Sequence, residues 1–76
     1  MITQKLSDLK INEKAIIDSF TNDELYIKLM ELGCVPGETV EIEHIGIKGD
    51  PISIYVAGYN LSLRLDEAAT IKVIKH

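Results

Sequence analysis

Seventy-six residues allow one domain with a small core, since a chain this short buries only about 60% of its unfolded surface. Hydrophobic residues make up 46% of the chain, with twelve isoleucines and eight leucines but only four aromatics, which suits a packed β-rich core and excludes a disordered chain. Eight basic residues against twelve acidic ones give a formal net charge of -4. This balance disfavours a nucleic-acid partner, because phosphate binding relies on Lys and Arg.

No charged leader precedes a long apolar run, so no signal peptide is expected. No apolar stretch approaches the length that spans a bilayer, so no direct membrane insertion is expected either. A single cysteine cannot form an internal disulfide, and the resulting expectation is a soluble cytoplasmic protein.

Residues 1–12 read as a lead-in, with one turn at Ser7 and Asp8 that sends Leu6 and Leu9 inward. Asn12 tolerates the left-handed conformation of a tight turn. The segment "EKAII" after it is expected to be a first strand of about five residues.

Thr21 is expected to open a helix through a capping box with Glu24, each side chain satisfying the other residue's amide. At 100° per residue, Leu25, Leu29 and Leu32 fall within about 60° of one another and form an inward stripe. On the same wheel, with Leu25 at zero, Tyr26 lies near 100°, Met30 near 140° and Ile27 near 200°. These three make a second apolar stripe, covered either by the lead-in or by a partner, since exposed apolar patches mark interaction sites.

Gly33 is placed as the left-handed residue that ends the helix, which makes Cys34 the next residue and a small apolar contact for Leu29. With no basic neighbour or nearby His to form a thiolate, Cys34 is read as structural rather than as a nucleophile or ligand. "VPGE" then reads as a type II turn, with Pro36 and Gly37 at its centre.

Val40 and Ile42 alternate with Glu41 and Glu43, and the phase slip to Ile45 and Ile47 implies a bulge near Glu43 and His44. "KGDP" reverses the chain ahead of a strand opened by Pro51. A hairpin around Gly58 follows, then the alternation of Leu61, Leu63 and Leu65, one helical turn capped by Asp66, and a closing strand "TIKVI". About five short strands with tight connections describe a small, partly open barrel.

In this order the pieces resemble the FeoA family of small SH3-like proteins of bacterial ferrous iron transport. The resemblance is carried by "LMELGCVPGETVEI" and "GDPISIYVAGYNLSLRLDEA", that is, by Leu32, Gly33, Cys34, Pro36, Gly37, Gly49, Asp50, Pro51, Leu63 and Arg64. Ile11 and Asn12 depart from it, since the family more usually has Pro-Gly there. The resemblance implies an SH3-like fold and a non-enzymatic accessory protein that binds or regulates the cytoplasmic region of a FeoB-type membrane GTPase permease. It leaves room for a homo-oligomer. It also extends to the SH3-like domain that ends DtxR-type iron- and manganese-dependent repressors, which gives the alternative of a metal-responsive module.

Chemistry of the chain's own is sparsely signalled. No Cys-x-x-Cys or His-x-x-x-His occurs, and the weak candidates for a divalent ion such as Fe(II) are Glu41, Glu43 and His44. His76, the last residue, is a further imidazole. Exposed alternating glutamates are more often a solvated face than a site. No nucleophile with a base, and no glycine loop before a helix, points to an enzyme. Arg64, the only arginine, is read either as a surface ion pair worth under about 1 kcal/mol or as a contact to an acidic partner.

Overall fold

The computed structural model describes residues 2–75. Among the described residues, six strands form one antiparallel sheet: β1 (Gln4–Lys5), β2 (Lys14–Phe20), β3 (Thr39–Ile45), β4 (Ile52–Val56), β5 (Tyr59–Leu63) and β6 (Ile71–Lys75), in the spatial order β1-β6-β2-β3-β4-β5. Helix α1 (Tyr26–Glu31) lies between β2 and β3, and the single turn α2 (Leu65–Ala68) lies between β5 and β6. Among the described residues, no helix is long and apolar enough to cross a membrane.

The core follows from strand alternation. Ala15 and Ile17 of β2, Val40 and Ile42 of β3, Ile52, Ile54 and Val56 of β4, and Ile71 and Val73 of β6 all point to one side. With Leu6 and Leu9 of the lead-in they make one buried cluster, closed by Leu29 from α1 and Ala68 from α2. The lead-in turn is a short 3-10 segment, Leu6–Asp8, that buries Leu6 as expected.

Several local expectations hold. Asn12 sits at a φ of 73° before β2. The β3–β4 register shifts between Ile42 and His44, which makes Glu43 the extra residue of a bulge. The β4–β5 hairpin closes through Ala57 and Gly58, both at positive φ, with Val56 opposite Tyr59. This matches the two-residue turns whose twist suits a hairpin. Gly46 is a place of close approach: a Cβ there would stand 2.4 Å from the Asp50 carbonyl oxygen.

Four expectations need correction. The strands number six rather than about five, because Gln4 and Lys5 pair with Val73 and Lys72. The first strand runs past Ile17 to Phe20, through a register shift between Ile17 and Ser19. The N-terminal cap of the helical segment is Asn22, not Thr21. The Asn22 side-chain oxygen accepts the amides of Glu24 at 2.8 Å and Leu25 at 2.9 Å, while Thr21 is occupied elsewhere, its amide donating to the Thr70 carbonyl at 2.9 Å. Asp66 does not cap α2. Arg64 holds the cap position, its amide donating to Glu67 at 2.9 Å, and the Leu65 amide donates to the Asp50 carboxylate at 3.0 Å.

Candidate functional site

The C-terminal end of α1 fixes where Cys34 sits. Gly33 has a φ of 105°. Its amide donates to the Met30 carbonyl at 3.0 Å, and the Cys34 amide donates to the Leu29 carbonyl at 2.9 Å. This is the Schellman arrangement, which uses carbonyls the helix end would otherwise leave unpaired. Leu29 and Cys34 are both wholly buried, and burial pushes the Cys34 thiol up to about 11. A thiol that is buried and protonated at neutral pH is neither a nucleophile nor a ready ligand. Leu25 and Leu32 are only half-buried, so the inward stripe rests chiefly on Leu29.

The opposite side of α1 is left open. Tyr26, Ile27 and Met30 retain 38%, 57% and 38% of their surface. The lead-in, which would have been the intramolecular cover, instead buries Leu6 and Leu9 beneath β6 and α2. Tyr26 and Met30 line a groove of ≈370 Å3 together with Phe20 from the end of β2 and Pro36 from the turn before β3. The Phe20 and Tyr26 rings lie 6.3 Å apart between centroids, within the range of favourable aromatic contact. The rest of the lining is polar: Asp18 and Ser19 from the β2 bulge, and Asn22 and Asp23 from the turn into the helix. Ile27 is exposed but does not line the groove.

Arg64 stands elsewhere. It lines a second cleft with Ser7, Asp8, Asp50 and Asp66. No salt bridge involves it among the described residues, where the ion pairs are Lys28–Glu67 and Lys75–Glu13. The expectation of a surface ion pair at Arg64 is therefore not met. It sits past the end of β5, at the α2 cap.

The weak metal candidates are not brought together. Glu43 accepts from the Asn60 side-chain amide, Glu41 lies beside Lys14 and Tyr55 on neighbouring strands, and His44 is exposed past the bulge. No group of three or more His, Cys, Asp or Glu side chains is placed to hold a metal ion among the described residues. His76 lies outside them.

Sequence reading missed Phe20, Asp18 and Asp23 as groove residues. The signal for Phe20 was its apolar character just past the assigned strand, hidden by two polar residues at the bulge. Pro36 was assigned only its turn role.

Comparison with known proteins identifies the chain's relatives. A family model described as the FeoA domain matches residues 4–75. A Porphyromonas gingivalis protein, an Fe(2+) transport protein A/Fe(2+) transporter FeoB fusion, is 31% identical over 91% of this chain, which spans only 8% of that relative's length. The solution structure of a FeoA-like protein from Clostridium acetobutylicum superposes with a TM-score of 0.91 at 32% identity, over 99% of this chain and 88% of that one. A FeoA from Stenotrophomonas maltophilia, solved with zinc and described as an SH3 domain protein, gives 0.78 at 32% identity over 96% and 89%. A manganese-dependent transcriptional repressor shares the fold, with a TM-score of 0.90 at 11% identity over 100% of this chain and 38% of its own.

Proposed function

We propose, for a chain that belongs to the FeoA domain family, that it is a non-enzymatic accessory protein of ferrous iron transport, acting on the cytoplasmic side by binding the cytoplasmic region of a FeoB-type permease. The observation that carries the reading is the uncovered side of α1. Tyr26 and Met30 stay partly exposed together beside Phe20 and Pro36, and Ile27 is exposed on the same helix. Tyr and Met are enriched at interface centres, where a few anchors dominate affinity. The fused P. gingivalis relative supports the choice of partner, since fusion keeps two domains at high effective concentration.

In this reading Tyr26 and Met30 are the anchors and Ile27 widens the contact. Arg64, whose planar fork suits carboxylates, offers a separate contact from the second cleft. The chain contributes recognition and no bond chemistry.

The test is a titration of Tyr26→Ala and Ile27→Glu against the permease's cytoplasmic region, with thermal stability followed in parallel. Tyr26→Ala should weaken binding by about 1 to 3 kcal/mol, the size of an interface anchor, with the fold intact. Normal binding by both well-folded variants would refute the helix-face site.

A further inference from the structure

The groove on α1 carries chemical information beyond its location. Its floor is apolar, from Phe20, Tyr26, Met30 and Pro36, and the charged groups lining it are two carboxylates, Asp18 and Asp23, with no Lys or Arg among the lining residues. Both aspartates are exposed. Neither is in a salt bridge among the described residues, and the one side-chain donor to Asp18 is the neutral Ser19 hydroxyl at 2.9 Å. The Asn22 side-chain oxygen, which also faces this region, is already used by the Glu24 and Leu25 amides. Carboxylates beside a low-dielectric wall project a stronger field than the same charges in open water.

We infer that this groove binds a peptide segment carrying an apolar anchor side chain flanked by lysine or arginine. The inference rests on the partner-binding reading and names the chemistry of the partner's contact segment. Charge complementarity selects the occupant. A second copy of this chain, with its formal charge of -4, would bring like charge to an acidic rim, and an acidic peptide would do the same. An open groove does not enclose a small ligand as pockets for such molecules do. A basic, apolar-anchored segment gains burial from the floor and charge pairing from the rim, and the rim pairing raises its association rate more than its final affinity.

Two measurements test this and separate it from the parent reading. A random peptide library is panned against the intact protein, and enriched peptides are mapped by amide chemical-shift perturbation. Peptides with an apolar residue flanked by Lys or Arg should be enriched and should perturb Phe20, Tyr26 and Met30. In parallel, Asp18→Asn with Asp23→Asn is titrated against the permease's cytoplasmic region. Removing two exposed charge contacts should weaken binding by about three- to tenfold and flatten its salt dependence. Glu41→Gln with Glu43→Gln, which changes the net charge equally on β3 and lines neither cleft, should leave it unchanged.

If Tyr26→Ala weakens permease binding while the double aspartate variant does not, the parent reading stands and this inference falls. If the permease region does not bind at all, the parent reading falls and the library decides alone. No enrichment, enrichment without basic residues, or perturbation away from the groove would each overturn the inference.

Discussion

Helix α1 has two apolar sides with opposite fates. On the side facing the sheet, Leu29 and Cys34 lose all contact with solvent. On the side facing away, Tyr26 and Met30 each keep 38% of their surface. Hydrophobicity does not distinguish the two, because tyrosine, isoleucine and methionine would serve a core well. The difference lies in what the rest of the chain can bring to each side. The sheet brings a continuous apolar face to Leu29, while the lead-in, the one remaining candidate cover, is committed to β6 and α2 through Leu6 and Leu9. An apolar side left without a cover is therefore surplus to folding, and it is the surface on which the proposed partner contact rests.

Stability measurements should break this contrast if it is false. Leu29→Ala should cost about 2 to 5 kcal/mol in denaturant unfolding, the range for truncating a fully buried leucine. Tyr26→Ala should cost far less stability than Leu29→Ala while costing binding. Equal losses at the two positions would mean that both sides of the helix are core.

A smaller effect is expected at the helix end. Cys34→Ala removes one buried sulfur and should cost about 1 kcal/mol, with permease binding unchanged. The native thiol should react slowly with an alkylating reagent at neutral pH and rapidly in denaturant, since burial and a pKa pushed up to about 11 both suppress the thiolate. Rapid native reaction would show that the end of α1 frays.

The smallest effect concerns the tie between α1 and α2. Glu67 accepts the Arg64 amide at 2.9 Å and pairs with Lys28 at 3.3 Å. The Arg64 amide first, and Lys28 after it, hold this carboxyl below its ordinary value of 4.5 against the opposing effect of burial. A lowered carboxylate gives stability that is present above the unfolded pKa and lost as pH falls through the folded one. Glu67→Gln should therefore cost about 0.5 to 1 kcal/mol at pH 7, and its deficit should shrink on acidification below about 4.5, since that is where the wild-type contribution disappears. A deficit independent of pH would place the contribution in packing rather than charge.

Much of the fold was legible because the residues that set it act locally. Gly33 four residues after Leu29, Pro36 with Gly37, Asn12 before a strand, and the broken alternation after Ile42 each announce a backbone geometry within a few positions. What was not legible depends on partners far along the chain. Gln4 and Lys5 are both exposed, carry no apolar alternation, and become a strand only because β6 lies beside them. Thr21 and Asn22 are both good caps, and the choice falls to Asn22 because Thr70, 49 residues away, takes the Thr21 hydroxyl and amide.

The groove shows the same division. The second stripe on the helix wheel could be read from spacing, and its exposure depended on where the lead-in docks. Phe20 and Asp18 joined it through the β2 bulge, which ends the regular alternation and so conceals the last part of the strand. Arg64, attractive as the only arginine, stands in another cleft because β5 ends before it.

The tyrosine at the hairpin tip has a thermodynamic consequence for recognition. Tyr59 donates its hydroxyl to the Leu32 carbonyl at the C-terminal end of α1, while Thr21 donates to Thr70 just before the helix begins. The short helix is thus tied to β5 at its C-terminal end, and the segment leading into it is tied to Thr70, just before β6. A six-residue helix would not hold its shape alone in water, and a wall that had to fold on contact would charge that ordering against the affinity. With these ties in place, the wall carrying Tyr26 and Met30 is already ordered before any partner arrives, and the entropy lost on association is confined to the incoming segment.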